Sequence, residues 1–187
     1  MRPPIEQIKD ILPVLKYGNS LLRKKVVDVT DFNELPRLVE KMFLTIQAEG
    51  GIGLAANQVG KSINLLIVDT NNMEEEGKSL IFINSKVIKT EGSCLMEEGC
   101  LSVPDIRAEI KRPEIITLQY QDLDKNVHHK SFSGLISRII QHEIDHLSGK
   151  FFVDYLSPSK RMLIHKRLLE ISKNGKPSTG IILNSYK

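Results

Sequence analysis

The sequence predicts an α+β domain: short antiparallel strands packed around a central metal-binding helix, with an N-terminal helix and a C-terminal helix on either side. Three observations carry this. A helical stretch ending at Gly149 is apolar on two sides and holds His-Glu-x-x-His. Short β-type runs, divided by turn residues, occupy residues 63–132. Amphipathic segments precede and follow them.

The first helix is expected over residues 32–49, where Leu35, Leu38, Val39, Met42, Phe43 and Ile46 recur at helical spacing. Asp31 is its expected N-cap, and Gly50-Gly51 its stop. The runs INLLIVDT (63–70) and SLIFINSKVI (79–88) are continuously apolar, as a buried strand is. NNMEEEGK (71–78) between them reads as a polar loop. In EIITLQYQD, Ile116, Leu118 and Tyr120 alternate with Thr117, Gln119 and Gln121, the pattern of a half-buried strand. DLDKN (122–126) is a turn, and VHHKSF returns as a strand.

The central helix starts near Ser133. Leu135, Ile139, His142 and His146 share one face, while Ile136, Ile140, Ile144 and Leu147 form a second apolar stripe. A helix apolar on two sides is buried, so its histidines point inward. The last helix begins at Ser157-Pro158, a cap followed by proline in the first turn, and runs to about residue 173.

The 187 residues fit one domain, expected over 1–187, with 1–16 as an N-terminal extension of no assigned role and 157–173 as the C-terminal helix. A net charge of +3 is too small to argue for nucleic acid, so no specific DNA partner is expected. No apolar run approaches the roughly 18 residues of a membrane helix. The N-terminal stretch, with Pro3, Pro4, Glu6 and Asp10, does not read as a secretory signal. The location expected is cytoplasmic, where Cys94 and Cys100 favour metal binding or catalysis over a disulfide.

His142 and His146, four apart on a helix, offer two imidazoles to one ion, with Glu143 beside them to act on water. The alternative is a pair of core histidines bonded to backbone. The third ligand is open on spacing alone. Phe152 stands where a metzincin needs histidine. Glu170 lies at a thermolysin-like distance, and His165, His128 and His129 are further donors. Cys100, after Gly99 in EEGCLSVP, offers a thiolate, a strong ligand for iron(II) or zinc. A buried cysteine acting as a small apolar residue is the plain alternative, and it is the reading kept for Cys94. In GGIGLAANQVG (50–60), Gly51 and Gly53 permit close backbone approach, and the Gln58 amide stands in apolar surroundings.

Residues 51–58, 98–102 and 141–146 together resemble the peptide deformylases. That family carries Gly-x-Gly-Leu-Ala-Ala-x-Gln, Glu-Gly-Cys-Leu-Ser and Gln-His-Glu-x-Asp-His in this order, and every fixed position matches here. The resemblance runs from YGNSLLRKK (17–25) to the last helix, and the helical C-terminus looks like the bacterial class. It implies hydrolytic removal of the N-formyl group from the first methionine of nascent chains, with release of formate. Cys100, His142 and His146 are then the ligands of one divalent ion. Iron(II) is the implied native metal, with zinc, nickel or cobalt able to replace it in purified protein. Glu143 is the general base and acid, and the Gln58 amide and Leu101 N–H meet the oxyanion. Ile52 and Gly53 pair with the substrate backbone, Gly99 leaves room opposite, and Arg138 and Ile139 help line the methionine pocket. Asp145 is weighed as a residue orienting a ligand against a solvated carboxylate, and Glu98–Arg112 is expected as an ion pair shaping the Cys100 loop. Lys160, Arg161, Lys166, Arg167 and Lys173 make the last helix basic, either a ribosome contact or an ordinary solvated face. Two other classes stay open: a thermolysin-like peptidase using Glu170, and a closed structural zinc with four protein ligands.

Overall fold

The computed structural model describes residues 10–70, 79–174 and 181–183. The expected loop 71–78 and residues 1–9 of the N-terminal extension lie outside them. Helix α1 spans Leu35–Glu49 and starts three residues later than its apolar period suggests. Pro36, which lacks an N–H, takes the first turn, and Glu34 is the N-cap. Asp31 instead accepts from the Asn33 N–H at 3.0 Å and closes the turn before the helix. Gly50 ends the helix at φ 71°, a conformation open to glycine at little cost.

Five strands form an antiparallel sheet. In chain order the strands are β1 (Gly53–Ala55), β2 (Leu65–Val68), β3 (Leu80–Glu91), β4 (Cys94–Cys100), β5 (Val103–Arg112), β6 (Ile115–Gln121) and β7 (Val127–Phe132), and this sheet has the order β1-β2-β3-β6-β7. A second sheet holds β4 (Cys94–Cys100), β5 (Val103–Arg112) and β8 (Ile181–Leu183). Its β4 and β5 are antiparallel, but β5 and β8 run parallel, a departure from the expected antiparallel pairing. Helices α2 (Gly134–Leu147) and α3 (Pro158–Asn174) match the expected central and terminal helices closely. The 122–126 turn is also as expected, with Asp122 Oδ1 accepting from the N–H groups of Asp124 and Asn126.

The continuous apolar run of β2 follows from its place between two helices. Leu65 and Ile67 pack against Val39, Met42 and Ile46 of α1. Leu66 and Val68 turn the other way, toward Ile139, Ile140 and Leu147 of α2. A strand covered on both faces has no polar side, so alternation disappears. A third cluster joins β5 to α3 through Val103, Ile106, Ile110, Ile164, Leu168 and Ile171. Helix α2 thus runs between the two sheets, which buries His142 and His146 as expected. Its first turn differs: Leu135 is exposed, at the mouth of the cleft described below.

Candidate metal centre

The two sheets bring strand β4 against α2, so Cys100 meets the helix's histidines. The donor atoms of Cys100, His142 and His146 lie within 4.8 Å of one another, and Cys100 Sγ is 3.1 Å from His146 Nε2. This is the one group of three or more such donors among the described residues. Glu170, His128, His129 and His165 are not part of it, and neither is Cys94.

The surroundings suit a cation. Burial works against a charged imidazole at His142, yet hydrogen bonds to Cys100 and Glu98 raise its pKa well above the ordinary value. Burial holds His146 neutral, with its pKa well below the ordinary value, the form that ligates. Thiolate and imidazole donors with a position left for water fit zinc or iron(II). These residues therefore fit one divalent ion.

Glu98 governs the orientation of His142. Its Oε2 lies 2.8 Å from His142 Nδ1, which directs Nε2 of that ring toward the cluster. Arg112 binds both Glu98 oxygens, at 2.6 and 3.0 Å, and Arg138 adds a contact of 2.8 Å. Burial alone would raise Glu98, but the hydrogen bonds from His142 and Arg112 outweigh it and hold the carboxyl at about 2. The Glu98–Arg112 pair was legible in sequence; the link to His142 was not. The available signal was strand period, since positions 98 and 100 of β4 share a face. Asp145 accepts from Arg112 at 2.6 Å and from the Tyr155 hydroxyl at 3.0 Å, so it stands behind the arginine and touches neither imidazole's ring nitrogen.

Glu143 lies beside the cluster. Burial lifts its pKa to about 7, and Oε2 has no hydrogen-bond partner among the described residues. Gly53 is required for its placement. A Cβ there would meet Glu143 Oε1 and Ile139 Cγ2, each at 2.6 Å, so β1 can approach α2 this closely only as glycine. The Gln58 amide is held at both ends. Its Oε1 accepts from the Ala55 N–H at 2.8 Å, and its Nε2 donates to Ser102 Oγ at 3.1 Å, 3.7 Å from Cys100 Sγ.

A cleft of about 620 Å³ opens onto these groups. Ile52, Gly53, Gly99, Leu101 and Ile139 all border it, as do Gln58 and Glu143. Arg138 borders it too, but its guanidinium is engaged by Glu98, the Ile110 carbonyl and the Cys94 carbonyl. Arg138 thus lines the cleft with its head group turned to buried acceptors.

Known proteins resemble the chain along most of its length. The model of the polypeptide deformylase family matches residues 11–162. A peptide deformylase of Zymomonas mobilis is 44% identical over 170 residues, covering 87% of this chain and 96% of that protein. A peptide deformylase structure from Thermus thermophilus aligns with TM-score 0.82 at 33% identity, over 87% of this chain and 98% of that one. One from Synechococcus elongatus, in complex with actinonin, aligns with TM-score 0.77 at 34% identity over 89% of each chain.

Proposed function

The chain belongs to the polypeptide deformylase family of hydrolases, and on that premise we propose that it removes the N-formyl group from the starting methionine of nascent polypeptides, releasing formate. The observation that carries this reading is the convergence of Cys100, His142 and His146 beside Glu143 in one cleft.

Cys100, His142 and His146 would hold one divalent ion, iron(II) natively, with zinc, nickel or cobalt as replacements. When bound, the ion supplies Lewis-acid activation of water near neutral pH. Glu143 takes the proton from the attacking water and returns it to the departing amine. A carboxyl raised to about 7 by burial is suited to both tasks, and a neighbouring cation draws it toward the ionised form. The Gln58 amide and the Leu101 N–H meet the oxygen as the formyl carbon becomes tetrahedral. The peptide backbone runs along Ile52 and Gly53, beside the free edge of β1, in the manner of an added strand. Gly99 keeps the opposite wall low. Ile139 and the half-exposed Leu135 and Ile52 give the methionine side chain apolar contact.

The three-member donor group supports this reading over both alternatives: Glu170 is not beside the histidines, and no fourth protein donor joins them among the described residues. The basic face of α3 supports less. Arg161 is bound to Asp154 and Arg167 Nη1 is buried, and we read Lys160, Lys166 and Lys173 as a solvated face and not as a ribosome contact. The enzyme works in the cytoplasm, where formylated chains are made.

The test is anaerobic purification, metal analysis, and assay on a formyl-Met peptide, its acetyl-Met analogue and an internally cleavable peptide. One metal per chain with formate release from the first substrate alone is expected. Internal cleavage, or a metal-loaded protein inert to formyl-Met, overturns the proposal.

A further inference from the structure

Residues 15, 16 and 17 each bind a residue at or beside the cleft. The Leu15 N–H donates to the Gln58 carbonyl at 2.8 Å. Lys16 Nζ donates to the Leu101 carbonyl at 2.9 Å. The Tyr17 N–H donates to the Ser102 carbonyl at 2.8 Å. Gln58 and the 101–102 stretch, far apart in sequence, meet beside the Cys100 sulfur, where Gln58 Nε2 donates to Ser102 Oγ, and this short segment binds both.

The segment is itself anchored. The Leu12 N–H donates to Thr45 Oγ1 at 2.8 Å, which ties it to α1. Leu15 and Tyr17 pack on the cluster between β5 and α3. A Cβ on Gly18 would collide with Ser172 Oγ, so α3 presses on the next residue. A chain fixed at both ends makes a stiff strap.

Within it, Lys16 is the member whose side chain donates to the 101–102 stretch. Leu101 itself packs against the cluster beneath α1. Gly51 packs on its side chain, where a Cβ would meet Leu101 Cδ1 at 2.9 Å. The next residue, Ser102, donates its N–H to Cys100 Sγ at 3.3 Å. Lys16 is only partly exposed, and its ammonium also faces Glu49, 3.9 Å away. A cation on a carbonyl, partly shielded from water, makes one of the stronger hydrogen bonds.

We propose that Lys16 is a positioning residue for deformylation: by holding the Leu101 carbonyl it fixes the adjoining peptide, so that the Leu101 N–H and the strap-bound Gln58 stay aimed at one point. This rests on the reading of Gln58 and Leu101 as oxyanion donors. Lys16 touches neither substrate nor the reacting atoms. Its effect belongs to the transition state, because preorganised donors accelerate a reaction only if they do not move as charge develops.

The experiment compares wild type with Lys16→Met and Lys16→Arg, each loaded with the same metal and assayed on a formyl-methionyl tripeptide. Removing an oxyanion donor outright costs roughly 10²–10³ in kcat; loosening the peptide that carries it should cost less, about tenfold. Lys16→Met is expected to lose that factor in kcat, with KM changed by no more than about twofold. Metal content and melting temperature stay at the wild-type values. Amide exchange at Leu101 and Ser102 becomes faster. Lys16→Arg, which keeps a charged donor, recovers most of the rate and the slow exchange.

Three results overturn the inference while leaving the deformylase reading intact: unchanged kcat in Lys16→Met, a loss confined to KM, or a lower melting temperature with normal turnover of the folded fraction. Should Lys16→Met not fold, Lys16→Gln is read by the same criteria. A wild-type enzyme without deformylase activity overturns both.

Discussion

Glu98 Oε2 lies 2.8 Å from His142 Nδ1, and the same carboxylate is the meeting point of Arg112 and Arg138. Two cations and an imidazole therefore depend on one buried anion. Glu98→Gln should weaken metal binding by about 10–100-fold, because it loosens the ring that presents Nε2. It should also destabilise the fold by roughly 3–5 kcal/mol, since Arg138 loses its carboxylate partner and Arg112 keeps only Asp145. Chelator competition and a denaturant titration measure the two effects. Unaltered metal affinity would remove Glu98 from the centre's support.

The two cysteines separate cleanly. Cys100→Ala should lose tightly bound metal, while Cys94→Ala should keep it, because Cys94 faces Arg138 at the far end of β4. Metal analysis of both variants decides, and the reverse pattern would refute the ligand assignment.

Glu143→Gln keeps the shape of the side chain and removes its basicity. The expected outcome is full metal content with activity reduced by about 10²–10⁴. Near-normal turnover in the loaded variant would exclude Glu143 from proton transfer.

Gln58→Leu removes the amide that sits 3.7 Å from Cys100 Sγ while keeping approximate volume. A kcat loss of roughly 10²–10³ is expected, with KM much less affected. A variant that is less stable but turns over normally would assign Gln58 to the turn alone.

Asp154 gives a pH-dependent prediction away from the centre. It accepts from Arg23 at 3.1 Å, from Arg161 at 3.0 Å and from the Phe151 N–H at 2.9 Å. Burial pushes its pKa up, but Arg23 and Phe151 outweigh that and bring it below the ordinary 3.8. A depressed carboxyl stabilises the fold above its unfolded pKa, and the contribution disappears as pH falls through the folded one. Asp154→Asn should therefore cost about 1–2 kcal/mol at pH 7, allowing for partial exposure, and progressively less below pH 3.8. Melting curves of both proteins across pH 2–7 test this (range chosen about the carboxyl pKa); a constant difference would contradict it.

The helices and most of the larger sheet were legible because their signals are local. Helical period and Pro158 set α3, and β7 spans the expected Val127–Phe132. Strand β4 was not legible. Its Glu97, Glu98 and Gly99 are poor strand formers, and Glu98 is buried only because Arg112, 14 residues away, and Arg138, 40 residues away, meet it there. Short β1 and β8 carried no pattern of their own.

By itself, the sequence determined the chemistry available. His142, Glu143 and His146 share a helical repeat, and three motifs in order name the family. The resemblance already implied Cys100 as the third ligand; only the tertiary structure decided which carboxylate orients His142 and that Lys16 borders the cleft. Those relations join positions far apart in the chain. They depend on how two sheets close over α2, and no local propensity encodes that closure.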